Sequence, residues 1–292
     1  MDRGTQMAPG RHVPTVASTR LARELRSLRG QAGLSQEAVA EEMGWNESKL
    51  TRIENDKSRV LVRDVKRLLG LYKVEGDAAD AMLELARLAR EPDWWHQYSG
   101  AIPEWLQVYV VLEASASHIF GYESEFVPGI MQTDAYARSI MSTAPYPDTE
   151  AEIEEKIAVR AARQARLTRD DPLEAWFVLN EAVIRRMVGG RDVMREQIEH
   201  LIKLARLRNV TLQILPFASG EHGAMHGMFY LLEFAAPDDP DKVYMEQHIG
   251  GLYAQKPPEV SRYRLISDHL RAQALGPEQT IVMLRKLAEE LA

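Results

Sequence analysis

Two histidines four residues apart, His222 and His226, stand in GEHGAMHG with Glu221 beside them and Glu246 and His248 further along. On a helix that spacing puts both imidazoles on one face, where they could hold zinc. The segment carries three glycines and follows an apolar stretch that reads as a strand. It therefore reads as a loop, and no metal is expected there. The sequence also lacks a GxSxG elbow for a serine nucleophile, and a GxGxxG or P-loop for a nucleotide. It has no cysteine to act as thiolate, zinc ligand or disulfide partner. The expectation is a protein that is not an enzyme and needs no cofactor. A second constellation is Glu181, Arg185, His222 and Glu246. These four fall near the ends of expected strands, where layered α/β structures open clefts. They are candidates for contact with a ligand or protein partner.

The third constellation is polar and largely basic: Gln36, then Asn46, Glu47, Ser48, Lys49 and Arg52, then Lys57 and Arg59. It lies in the basic part of an otherwise acidic chain. Residues 1–75 carry 14 Lys and Arg against 10 Asp and Glu, a net of +4; residues 76–292 carry 22 against 33, a net of −11. A basic module joined to an acidic one is what a chain needs when only one module approaches a polyanion.

The elements that position these residues follow from spacing and punctuation. Residues 1–17 have no periodicity and read as a flexible arm. From Ser18, Leu21, Leu25, Leu28 and Ala32 recur at helical intervals, and Gly33 ends the run. Ser35 caps a second helix, Gln36–Met43, and Gly44 turns the chain after it. Asn46 caps a third, Glu47–Asn55. Two short capped helices around a glycine turn form a helix-turn-helix pattern. A fourth helix is expected over 62–71, starting at Leu61 without a side-chain cap, and a fifth over 77–90. The domains are then an arm (1–17), a helix-turn-helix domain (18–76), a connector (77–93) and an α+β domain (94–292). In the last, Trp94, Trp95 and Trp105 are expected in a core or interface. Strands are expected at 175–184, 210–217, 227–235 and 242–254, with a helix at 192–206 making a βαβ unit of parallel strands. The Pro-Asp cluster 237–241 is expected to turn the chain. Helices at 259–272 and 277–291 close the chain. No apolar run approaches the roughly 20 residues that span a bilayer, and the N-terminus lacks a signal-peptide core. The expected setting is the cytoplasm.

SQEAVAEEMGWNESKLTRIEND (35–56) resembles the core of lambda repressor/Cro-type regulators, the XRE family, over about residues 18–75. The remainder is similar to the C-terminal domain of an actinobacterial group of such regulators. The matching phrases are WWHQY, PEWLQVYVVLEASA, YESEFVPGIMQTDAYAR, NEAVIRRMVGG, NVTLQILPF and QHIGGLY. The resemblance implies an N-terminal five-helix domain ahead of a mixed α+β domain, and a third helix whose N-terminal end enters the major groove. It implies that Glu47, Ser48 and Arg52 face bases, Arg52 toward guanine and Glu47 toward cytosine N4. Asn46 and Lys49 share the exposed end, with Lys49 meeting base or phosphate. Gln36 matches a phosphate-contacting position at a helix N-terminus, and Lys57 and Arg59 follow the helix as backbone clamps. Arg29 and Glu54 are expected to pair as a surface contact that orients the reading helix. Members of the group are often encoded beside a small protein in an antitoxin-like arrangement, which implies a small protein partner or an effector at the C-terminal domain. Operators for this fold are inverted repeats read by homodimers, with the segment 94–112 and the acidic domain supplying the pairing surface. The alternative reading is a protein-interaction adaptor that uses the helix-turn-helix mainly as scaffold.

Overall fold

The computed structural model describes residues 15–89, 102–143, 148–235, 240–247 and 250–292. The chain divides into two compact units, residues 1–96 and 97–292. The arm as far as Pro14, the connector beyond Ala89, Trp94, Trp95, most of the turn at 237–241 and His248 lie outside the described residues, as does the Trp105 side chain.

The first unit is helical. Helices α1 (Val16–Gln31), α2 (Gln36–Met43), α3 (Glu47–Glu54), α4 (Val62–Leu71) and α5 (Gly76–Leu88) surround one core. Leu21 and Leu25 meet Val39, Leu50, Ile53, Val65 and Leu68, all nearly inaccessible to solvent. Helix α1 starts earlier than the leucine periodicity suggests. Thr15 and Ser18 cap it reciprocally, with Ser18 N–H on Thr15 Oγ1 at 2.8 Å and Thr15 N–H on Ser18 Oγ at 2.7 Å. Residues 15–17 therefore belong to the helix and its cap, because two hydroxyls satisfy N–H groups that a helix start leaves free. The other caps fall where expected. Ala38 N–H reaches Ser35 Oγ, and Lys49 N–H reaches Asn46 Oδ1. Gly44 takes the left-handed conformation at φ 65° that a side chain would strain. Leu61 offers α4 no side-chain cap.

The second unit is mixed α+β. Its elements are α6 (Glu104–Ser115), β1 (His118–Glu123), α7 (Asp134–Met141), α8 (Glu150–Gln164), β2 (Glu174–Asn180), α9 (Glu181–Arg185), α10 (Arg191–Leu204), β3 (Val210–Leu215), β4 (Phe229–Glu233), β5 (Lys242–Gln247), β6 (Gly250–Ala254), α11 (Pro257–Gln273) and α12 (Pro277–Glu290). One sheet runs in the order β3-β2-β1-β4-β5-β6. The pairs β3–β2 and β2–β1 are parallel, and the other three are antiparallel. One face packs Phe177, Leu212 and Leu232 against α6, α10 and α12. The other packs Phe120, Val178 and Leu231 against α11. At the β3 edge, Ile214 donates to Thr280 Oγ1 at 3.1 Å and its carbonyl accepts Leu275 N–H at 2.8 Å. The segment joining α11 to α12 and the first turn of α12 thus cover the outer edge of β3 at Ile214.

Two expectations need correction. The run 175–184 is not one strand: β2 ends at Asn180, whose side chain accepts from Ala182 N–H at 3.0 Å and starts α9. An apolar run carries no mark of that change unless the capping residue inside it is noticed. The run 242–254 is two strands, β5 and β6. They form an antiparallel pair with Gln247 opposite Gly250 and Val243 opposite Ala254. Gly250, at φ 154°, takes a backbone conformation open to glycine and rarely to other residues, directly after the reversal.

Candidate functional site

In the first unit, α2 and α3 stand on either side of the Gly44 turn, and α3 offers its N-terminal end to solvent. Asn46, Glu47, Ser48, Arg52, Lys57 and Arg59 are all exposed. Asn46 is committed to capping, and Ser48 Oγ also donates to its Oδ1 at 2.9 Å. Arg52 places its Nε on Ser48 O at 3.2 Å, which lays the guanidinium along the outer face of α3. This end of the helix presents free amides, a hydroxyl, one acid and one arginine, a set suited to base edges and phosphates.

Two candidates are held differently. Lys49 sits with its ammonium 3.7 Å from the centre of the Trp45 ring and 3.5 Å from Asp64. Its charge is shared with an aromatic face and a carboxylate of α4. Gln36 turns inward: its Nε2 donates to Glu54 at 2.6 Å and its Oε1 accepts from Thr51 at 3.1 Å. The amide of Gln36 therefore joins α2 to α3, and only the α2 N-terminus itself remains for an anion.

The Arg29–Glu54 pair forms, and it is a buried contact rather than a surface one. Arg29 reaches Glu54 through Nε at 2.6 Å and Nη2 at 3.1 Å, while Nη1 donates to Leu34 O at 2.8 Å. The Glu54 side chain has no exposed area, and that of Arg29 is 15% exposed. The hydrogen bond to Glu54 holds the guanidinium charged, above its ordinary range. Glu54 thus ties α1, α2 and α3 together from the last turn of the reading helix. Sequence alone did not show the burial, because a carboxylate at the end of a short helix usually faces water. A second tie was also missed: Asp56, at φ 50°, accepts from Ser18 Oγ at 2.9 Å and Thr19 Oγ1 at 2.7 Å. Its signal was the pair of hydroxyls at the start of α1.

In the second unit the four candidate residues do not converge. Glu181 pairs with Arg185 at 3.1 Å and accepts from Phe217 N–H at 2.9 Å. Arg185 also approaches Glu290 at 3.5 Å. Both bind α9 to its neighbours. His222 accepts from Ala224 N–H at Nδ1 (3.3 Å), which leaves Nε2 as donor toward Tyr122 Oη, also at 3.3 Å. Burial lowers its pKa and keeps it neutral. His226 falls with it in a turn, not a helix. Among the described residues no group of three or more possible ligands could hold a metal ion. Glu246 stands apart, its carboxylate 3.3 Å from Tyr244 Oη.

A buried polar cluster, absent from the sequence reading, lies behind Glu246. Glu113 accepts Arg163 Nε at 2.6 Å, Arg163 Nη2 at 2.8 Å and Tyr109 Oη at 2.8 Å. Burial alone would lower the Arg163 pKa, but Glu113 more than reverses this and holds the cation. Beside it Arg160 gives its Nε to Gln132 at 3.0 Å. Burial and then the Arg163 charge bring its pKa down to about 10. Glu123, at the end of β1, accepts from Tyr230 Oη at 2.5 Å, and burial pushes its carboxyl up to about 8. The spacing of Arg160 and Arg163, one helical turn apart on α8, was the available sign.

Comparison with known proteins agrees with this division of the chain. A helix-turn-helix domain model matches residues 20–82, and a model described as a domain of unknown function (DUF5753) matches residues 106–286. Neither a curated protein nor a solved structure matches the chain. The second match takes in more than half of the sequence, so the chain belongs to the family defined by that domain of unknown function, here placed after a helix-turn-helix domain.

Proposed function

We propose that this protein is a sequence-specific transcriptional regulator of the XRE type, from an actinobacterial group of such regulators, and not an enzyme. The carrying observation is the capped pair α2–α3 around Gly44, with Glu47, Ser48 and Arg52 exposed on the leading end of α3. That end enters the major groove. Glu47, Ser48 and Arg52 read bases; Lys57 and Arg59 hold phosphates, and the α2 N-terminus at Gln36 takes another. Lys49 contributes from the side, bridged to Trp45 and Asp64. The acidic second domain meets a small protein partner or an effector, in an antitoxin-like arrangement, and the protein works in the cytoplasm as a homodimer on an inverted repeat.

The test is a gel shift with full-length protein and the DNA upstream of its own gene, at low and moderate salt. The expected result is a shifted band that unlabelled specific DNA competes away better than random DNA. No band at low salt would leave the adaptor role in its place.

A further inference from the structure

A cavity of about 640 Å³ opens in the second unit between one face of the sheet and α11. Its size falls within the range of small-molecule sites. Side chains alternate across a strand, so Phe229 of β4 and Met245 of β5 face α11 and make an apolar floor, with Tyr263 and Ile266 of α11 beside them. Phe229 and Tyr263 set their rings 4.9 Å apart at 56°. The same face carries Ser124, two residues on from Tyr122 of β1, and Gln247, two residues on from Met245. Strand β4 runs between β1 and β5, and its approach through Gly227 brings no side chain. A Cβ at Gly227 would meet nothing within 4 Å, so the floor stays open there.

The acids around the cavity are spent, and its cation is not. Alternation turns the Glu246 carboxylate to the opposite face of the sheet, beside Tyr244 and toward Arg160 and Arg163. Glu259 pairs with Lys256 at 3.5 Å. Arg264, further along α11, takes Glu233 and Asp241. Arg262 lies on the wall, exposed, and among the described residues no carboxylate is within ion-pair distance of it. Tyr263 gives its hydroxyl to the Met245 sulfur at 2.9 Å, and so offers its ring. The side chains of Ser124 and Gln247 form no hydrogen bond among the described residues and add two unspent donors. The net −11 of residues 76–292 opposes an anion only at long range, where salt screens it beyond about 8–10 Å. At the wall itself the unpaired charge is positive, and a guanidinium is suited to a carboxylate through two parallel hydrogen bonds.

We infer that this cavity binds a hydrophobic carboxylic acid, with its aromatic or alicyclic body among Phe229, Met245, Tyr263 and Ile266 and its carboxylate on Arg262. That the acid acts as an effector rests on the regulator reading; that it binds does not.

The test uses the full chain and three congeners, 2-naphthylacetate, 2-(2-naphthyl)ethanol and 2-(2-naphthyl)ethylamine, in calorimetric titrations. The acid should bind about 10-fold tighter than the alcohol, and the amine weakest. Arg262→Gln, at an exposed position, should bring the acid down to the level of the alcohol and leave the alcohol unchanged. Arg262→Glu should reverse the order and favour the amine. Ile266→Trp, which fills the cavity, should abolish all three in a protein whose unfolding transition persists. The inference is overturned if the amine binds the native chain best, if no congener binds at about 1 mM, if Arg262→Gln keeps the preference for the acid, or if folded Ile266→Trp binds as before. A parallel gel shift with and without the acid separates the two claims: acid binding in a protein that never shifts DNA sinks the regulator reading and leaves the acid site standing.

Discussion

Removing Arg29 should come close to unfolding the first unit. Glu54 is fully enclosed and receives three hydrogen bonds, two from Arg29 and one from Gln36. In Arg29→Met the methylene stem is kept, but the carboxylate retains only the Gln36 amide. Breaking one side of a buried ion pair costs about 3–5 kcal/mol, since a charge remains out of water without its counter-ion. A unit of this size has a total stability of roughly 4–11 kcal/mol at ordinary values per residue. The variant should therefore lose about half of it, and its melting temperature should fall by roughly 15–30 °C. Arg29→Met/Glu54→Met should recover most of the loss, because no buried charge is left. Urea unfolding followed by circular dichroism gives the assay, with the transition of the second unit as internal reference. A loss under about 1 kcal/mol in the single variant, or a double variant no more stable than the single, would refute the reasoning.

Arg52→Ala should cost about 1–3 kcal/mol on the preferred operator and relax one base position, read by competition gel shifts. Lys57→Ala should weaken all sequences alike and lower the salt slope by about 1. Glu123 sets a pH dependence in the second unit. Between its ordinary value of 4.5 and about 8, the folded state holds a proton that the unfolded chain has released. Stability is full below about 4.5 and falls as pH rises toward about 8, by up to about 1.4 kcal/mol per pH unit. Glu123→Gln should flatten that slope between about pH 5 and pH 8 in urea titrations, and an unchanged slope would count against it. Gly251→Ala should destabilise the β5–β6 pair by about 1–3 kcal/mol in the same titrations, because a Cβ there would collide with the Tyr244 ring.

The first unit was legible because its punctuation is local. Ser35, Gly44 and Asn46 each act on neighbours within a helical turn or so, and the expected helices 36–43 and 47–55 match the observed 36–43 and 47–54 to within one residue. What failed there depended on distance in the chain. Gln36 looks like a polar surface residue until Glu54 is placed beside it, and Glu54 looks solvated until Arg29 covers it. In the second unit the apolar runs marked most strands but not their ends. β1 hides in an aromatic-rich stretch with no alternation, since both faces of HIFGYE are covered. The glycines at 250 and 251 were the unused sign that 242–254 folds back on itself. The four C-terminal candidates were chosen for charge near strand ends, and three of them serve local ties.

The closing of the sheet at β3 limits how copies of this unit can join. Thr280 and Leu275 occupy the hydrogen-bonding groups of Ile214, while no strand pairs with the outer side of β6 among the described residues. A fibre built by strand addition needs two open edges per molecule, one to give and one to receive. With β3 covered at Ile214, an added strand is best received at β6, and pairing of β6 with β6 is isologous: it ends at two molecules related by a two-fold axis and does not propagate.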